Sequence, residues 1–235
     1  MYTIESRVRF SEIGEDGYLT IPAIVNYFQD CSTFQSEELG RGIEFLKDHK
    51  RVWVLNAWQI MIHRRPQLME EIKVSTWPTG FDGLYGTRNF KLETKEGEML
   101  ACANSIWVYM DVEKGRPVKA GEEEISVYAA ETPLEMEYAP RKIAPPKDGK
   151  VFEGFYVKRD QLDTNHHMNN GQYVKSALEY VPDAFSVRQI RVEYKKSAMY
   201  GDHVIPKLRQ EDNKITIGLC SEEGKTYAVL EMIGE

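Results

Sequence analysis

Little in this chain could hold a metal, cross a bilayer or grip a nucleic acid. Only three of its 235 residues are cysteine. Cys31, Cys102 and Cys220 lie far apart, fit neither a zinc spacing nor a disulfide framework, and each sits in an apolar stretch, where a thiol reads as a small buried hydrophobe. There is no His-Glu-x-x-His and no Cys-x-x-Cys, so no metal site is expected. There is no Gly-x-Ser-x-Gly elbow of a serine hydrolase. The one glycine-rich stretch, "GFDGLYG" (80–86), has the wrong spacing for a phosphate loop and reads as a turn. Basic charge is in deficit: 30 Lys and Arg stand against 37 Asp and Glu, a net charge of -7. That balance opposes non-specific nucleic-acid binding. No apolar run approaches the roughly 20 residues a membrane-spanning helix needs. The start, "MYTIESRVRF", resembles neither a signal nor a transit peptide. These absences describe a cytoplasmic chain with no membrane and no nucleic-acid partner.

What is present is enough apolar material for a core, 42% of residues, on a chain long enough for one large domain or two small ones. The sequence reads as an internal duplication. Laying 10–30 over 159–179 sets Ile13 on Leu162, Leu19 on Met168, Ile24 on Tyr173 and Val25 on Val174. Laying 58–72 over 190–204 sets Ile60 on Val192, Ile62 on Tyr194, Arg64 on Lys196 and Glu70 on Asp202. Each copy begins with a helical pattern. In the first, Ile21, Ile24, Val25, Phe28 and Cys31 recur at helical spacing, Pro22 suits the opening turn and Gly40 the stop. In the second, Val174, Ala177, Leu178 and Val181 form the stripe and Pro182 ends it. Alternating segments then predict strands at 52–63, 71–78, 86–94 and 99–110, and again at 186–197, 202–210, 213–221 and 225–233. A helix followed by hairpin-linked strands implies an α+β layout, an antiparallel sheet with a helix on one face. The stretch 112–150 is rich in Pro, Gly and charge and reads as a surface connection. The expected division is therefore 1–120, a linker at 121–150, and 151–235.

One cluster calls for chemistry rather than folding. Asp163, Asn165, His166, His167, Asn169 and Asn170 fall within eight positions just before the second helix. In an extended chain, side chains two apart share a face, so Asp163, Asn165 and His167 would point the same way. The helix beginning near Asn169 would aim its free N–H groups, with the backbone N–H near Met168, at the same place. An imidazole that titrates near neutral pH, a carboxylate and a fixed amide beside an oxyanion donor can hydrolyse an acyl compound. Asp and Asn also cap helices, but so many acid, amide and imidazole groups exceed what a cap requires. The aligned positions of the first copy, Gly14, Asp16 and Tyr18, show that the fold does not demand the set.

The segment "LDTNHHMNNGQYV" resembles the Asp-x-Asn-x-His-x-Asn-Asn-x-x-Tyr signature of the acyl-acyl-carrier-protein thioesterases of plants and bacteria. "GLYGTRNFKL" (83–92), "SIWVYMDVEKGRPVK" (105–119) and "VEYKKSAMYGDHV" (192–204) are similar to that family in order and spacing. The resemblance implies two tandem hotdog folds, each a long helix wrapped by an antiparallel sheet, the first for the acyl chain and the second for catalysis. It implies hydrolysis of the thioester joining a fatty acyl chain to the phosphopantetheine arm of acyl carrier protein, without metal or cofactor. The catalytic Asp, Asn and His of the family fall on Asp163, Asn165 and His167. The chain departs from the family after "EYKK": Ser197 and Ala198 stand where many members have Glu-Cys, and Ser197 can hydrogen-bond a water but cannot be a carboxylate base. Trp53, Trp58, Phe28 and Phe34 are candidate linings of an acyl slot. Because a carrier protein is acidic, docking needs a local basic patch, for which Lys195, Lys196, Arg64, Arg65, Arg141 and Lys142 are the candidates. Two alternatives share the fold: an acyl-CoA thioesterase, and a non-catalytic sensor of acyl thioesters. The oligomeric state stays open, a homodimer among the candidates.

Overall fold

The structure is a computed structural model and describes all residues, 1–235. In chain order the elements are β1 (Tyr2–Arg7), α1 (Ile21–Glu38), α2 (Ile43–Asp48), β2 (Arg51–Ile62), β3 (Glu71–Asp82), β4 (Tyr85–Thr94), β5 (Met99–Asp111), β6 (Arg116–Pro117), α3 (Glu122–Ile125), β7 (Lys150–Val151), β8 (Phe155–Tyr156), α4 (Asn170–Leu178), β9 (Val187–Tyr194), β10 (His203–Glu211), β11 (Lys214–Cys220) and β12 (Thr226–Gly234). All eight strands expected from alternation are present, and the fold is the α+β double hotdog. No helix is long and apolar enough to cross a membrane.

The chain forms two compact units, one of Met1–Asn56 with Ile62–Tyr138, the other of Ala57–Met61 with Ala139–Glu235. In the first, antiparallel strands run in the order β1-β3-β4-β5-β2, and α1 lies against β1, β3 and β4. The α1 stripe predicted by spacing is the buried face: Ile24, Val25, Phe28 and Cys31 are fully enclosed, and Phe28 meets Phe90 at 5.2 Å between ring centroids. Burying a side chain of that size contributes about 1.5–3 kcal/mol. The Thr20 hydroxyl caps the start by accepting the Ala23 N–H. At the end Gly40 takes φ +66°, which places its N–H on the Glu37 carbonyl and the Arg41 N–H on the Ser36 carbonyl. Both orphan carbonyls are thereby satisfied, and the left-handed position accounts for the glycine.

In the second unit Ala57–Met61 of β2 pairs antiparallel with β9, and the sheet continues through β12, β11 and β10, with β7 and β8 along the far side of β10. Its helix is half as long: α4 spans 9 residues against 18 in α1. The expected helix to Pro182 is a correction. The helix ends at Leu178, and Val181 lies in the turn that follows, where its N–H closes onto the Leu178 carbonyl.

The duplication is visible bond by bond. The Gly14 N–H donates to the Tyr18 carbonyl as the Asp163 N–H does to His167, and the Leu19 N–H donates to Pro66 as Met168 does to Ala198. Val8 and Val157 meet Glu70 and Asp202 in the same way. Isolated bridges tie Tyr18 to Gln67 and His167 to Met199.

The stretch 112–150 is no free connection. Tyr128 is buried and its hydroxyl bonds to Ser36; the Trp77 indole donates to the Thr132 carbonyl; the Leu134 N–H and the Tyr138 hydroxyl both donate to Asn89. From Ala139 on the chain lies on the second unit, with the Ala139 N–H on Gln59 and the Ile143 N–H on Glu193. Backbone groups held by buried side chains make this a strap, seated on one unit up to Tyr138 and on the other from Ala139.

Candidate active site

The polar segment is a closed turn. The Asp163 N–H donates to the His167 carbonyl at 2.7 Å and the His166 N–H to the Asp163 carbonyl at 3.1 Å. His166 takes φ +61°, the left-handed region that L residues seldom enter. The extended arrangement expected from the sequence, with side chains 163, 165 and 167 on one pleated face, is therefore corrected. What gathers these residues is the turn itself. Its fastener is the Asp163 carboxylate, whose Oδ1 accepts the N–H groups of Asn165 at 2.8 Å and His167 at 3.1 Å. An aspartate at the start of a turn makes such bonds readily. Oδ2 is left for other partners. Asn165 is exposed, and Asp163 and His167 are half-buried, so the amide, the carboxylate and the imidazole all sit where a solute can reach them.

The oxyanion donor expected at Met168 is also corrected. The Met168 N–H is committed to the Ala198 carbonyl at 2.8 Å. The first N–H groups of α4 are capped too: Gly171 donates to the Asn169 side chain at 2.9 Å and Gln172 to the Asn169 carbonyl. Asn169 is thus an ordinary N-cap.

The other wall is the segment after β9. The Ala198 N–H donates to the hydroxyl of Tyr173, on α4, at 2.8 Å. Tyr173 is 2% exposed and packs edge-on to Tyr194, at 5.5 Å and 75°; the Tyr194 hydroxyl donates to the Asn170 carbonyl. Burial pushes the Tyr173 phenol up to about 12, against the lowering by the Ala198 N–H it accepts. Ser197, half-buried, lies beside this clamp. In the first unit the corresponding position is Arg65, which is bound to Asp16 and stands 5.6 Å over the Tyr18 ring.

The other sequence candidates are scattered. Phe28 is core; Trp53 packs on Tyr109 and Phe81 at 4.6 and 6.0 Å; Trp58 is buried in β2 opposite Val192; Phe34 is 48% exposed. Among the cations, Arg64 is held between Glu70 and Glu98 at 2.7 and 2.6 Å, and those two carboxylates raise its pKa. Arg65 is taken by Asp16, Lys195 meets Glu193 at 2.9 Å, and Lys196 stands 5.6 Å over the Tyr227 ring. Only Lys142 is an exposed lysine with its head free of these pairings; Arg141 is half-buried. Sequence reasoning quoted Tyr173 as the last residue of the signature but gave it no role. A further signal was the contrast with Ile24 at the same place in the first copy.

Comparison with known proteins places these features in context. A sequence model of the acyl-ACP thioesterase N-terminal domain matches residues 1–128, and one of the acyl-ACP thioesterase C-terminal domain matches 145–232. The chloroplastic palmitoyl-acyl carrier protein thioesterase of Cuphea hookeriana is 29% identical over 191 residues, covering 74% of this chain and 45% of that protein. The chain spans about half the length of the curated relatives it matches. An acyl-ACP thioesterase crystal structure from Bacteroides thetaiotaomicron shares the fold with a TM-score of 0.91 at 21% identity, over 99% of this chain and 97% of that one. The 12:0-ACP thioesterase from Umbellularia californica shares it with a TM-score of 0.87 at 18% identity, over 100% and 96%.

Proposed function

We infer, for a chain that belongs to the acyl-ACP thioesterase family, that it hydrolyses the thioester between a fatty acyl chain and the phosphopantetheine arm of acyl carrier protein, releasing the free acid and ending elongation. The observation that carries this reading is the asymmetry of the duplicated turn: one backbone, built twice, bears a carboxylate, an amide and an imidazole together only in the second unit.

The roles follow from chemistry and from which groups are free. The imidazole of His167 can take a proton from a water at neutral pH and return it to the departing thiol. Asp163, its Oδ1 fixed by two N–H donors, offers Oδ2 to a water or to the acyl carbon. With the Met168 N–H committed elsewhere, the exposed Asn165 amide is the donor that remains for the carbonyl oxygen as it becomes an oxyanion; such a donor contributes roughly 2.7–4 kcal/mol in known enzymes. Ser197 can hold a water by its hydroxyl.

The test is fatty-acid release from carrier-bound and CoA-bound forms of one acyl chain, run in oxygen-18 water. Faster release from the carrier-bound form is expected. Equal or faster release from CoA makes the chain an acyl-CoA thioesterase, and tight binding with no acid released makes it a sensor. After a single turnover, label found in Asp163 would show direct attack by the carboxylate, through an anhydride opened by water at the aspartyl carbon.

A further inference from the structure

The Tyr173–Ala198 bond has no counterpart in the first unit, although the backbone bonds around it do. Residue 198 is held at both ends: its N–H goes to the Tyr173 hydroxyl at 2.8 Å and its carbonyl takes the Met168 N–H at 2.8 Å. The equivalent residue of the first unit is Pro66. Its carbonyl takes the Leu19 N–H at 2.8 Å in the same way, but a proline has no N–H, and Ile24 stands in place of Tyr173. The carbonyl half of the clamp is therefore required by the fold and occurs twice. The phenol half occurs only beside the Asp163–His167 turn.

Stability does not explain the exchange. A proline and an isoleucine at these positions ask for no buried polar partner, whereas the second unit must match a buried phenol with a buried peptide N–H, and a hydrogen bond of that kind contributes little net. The polar version ties three parts of the site together. Tyr173 is on the helix that follows the turn directly, Ala198 is on the opposite wall, and Met168 is next to His167. The ring is wedged against Tyr194, so the hydroxyl is fixed in place by the sheet.

We propose that Tyr173 is a positioning residue of the reaction, holding the 197–199 wall through the Ala198 N–H and, through the Ala198 carbonyl, setting the depth at which the Asp163–His167 turn meets a bound thioester. The phenol stays protonated across the working pH range, because burial holds it up at about 12, so it acts as a fixed anchor and not as a base. The inference rests on the hydrolytic reading above.

Tyr173→Phe tests it, since the ring and its packing remain and only the acceptor of the Ala198 N–H is removed. Two readouts separate this role from packing. Backbone amide exchange should rise about tenfold or more at Ala198 and at Met168, while Ile215 and Ile217 in β11 keep their rates. On carrier-bound acyl thioester, kcat should fall about tenfold or more with KM within about twofold, the pattern of lost transition-state positioning. Unchanged protection at Met168 overturns the proposal, and so does faster exchange with wild-type kcat. If the wild-type chain releases no fatty acid, the hydrolytic reading falls first, and the Met168 exchange rate still decides whether the phenol holds the turn.

Discussion

The turns at 14–18 and 163–167 share a backbone and differ in what their side chains do. Each closes with the same two backbone bonds, and each passes through a left-handed residue, Gly17 at φ +80° and His166 at +61°. Each also caps the same N–H with an aspartate, but from different positions. In the first, Asp16 accepts the Tyr18 N–H; in the second, Asp163 accepts the N–H of His167 and of Asn165. Both units therefore place an aspartate oxygen on this N–H, and Asp163 serves the turn as well as any chemical purpose. The remaining side chains part ways. Asp16 is neutralised by Arg65, which also covers Tyr18 and donates to the Leu19 carbonyl at 3.4 Å. Asp163 has no ion pair, and the short Ser197 stands at the position of Arg65. A silenced turn and an open one, on one scaffold, separate what the backbone requires from what the second unit has kept for another purpose.

The sharpest way to break this comparison is to separate Asp163's two roles. Asp163→Asn keeps an oxygen for the two N–H donors and loses only the charge, so turnover on carrier-bound substrate should fall about 10²–10⁴-fold while the melting temperature stays within a few degrees. His167→Ala should match it. Near-normal rates in both folded variants would return the cluster to the status of a helix cap. Next in size is Ser197→Arg, which copies the first unit's plug into the second. A guanidinium over the His167 ring should lower kcat about tenfold or more, with the fold intact by circular dichroism; an unchanged rate would mean that the openness of the second turn is incidental.

The mildest change is Arg65→Ala. The Asp16–Arg65 pair is partly exposed, with 46% and 33% of the two side chains accessible, so it contributes under about 1 kcal/mol, a shift of roughly 2–4 °C at most in a chain of this size. Turnover should not change. Burial alone would raise the pKa of Asp16, but Arg65 and the Tyr18 N–H together hold it below its usual value. A depressed carboxylate pKa contributes stability above the unfolded value of about 3.9 and loses it as pH falls through the folded value. The difference in melting temperature between wild type and Arg65→Ala should therefore persist at pH 7 and shrink on acidification, as pH falls below the unfolded value and through the folded one. A difference that grows on acidification would contradict the pairing.

Periodicity made most of the fold legible. Alternation fell within a few residues of every long strand bound in β2 to β5 and β9 to β12, and Pro22 and Gly40 marked both ends of α1. Short pieces escaped. β1 reads "YTIESR", where one face is only half-buried, and β7 and β8 have two residues each. The site was legible in composition and not in shape. A period of two assumes an extended chain, but Asp163 closes the turn with its own carboxylate, and nothing in a lone histidine announces a positive φ. That several of the basic candidates are already paired was hidden where the partner is distant in sequence: Arg64 finds Glu98 34 positions on, and Arg65 finds Asp16 49 positions back. Tyr173 closes the family-like signature in the sequence, but on a helix an aromatic is ordinarily core; its phenol bond to a backbone amide shows only in the structure.

The assignment of Ala57–Met61 to the second unit bears on anyone who would express that half alone. A fragment beginning at Ala139 would carry the reactive turn but lack the strand that sits in register with Gln189–Glu193. It would present the bare backbone of Ile190 and Val192 to water as an uncovered sheet margin, an invitation to aggregate. Cutting at the apparent seam would thus yield inclusion bodies where a minimal enzyme was wanted. Any shortened version must carry those five residues with it, either by circular permutation or as an added peptide.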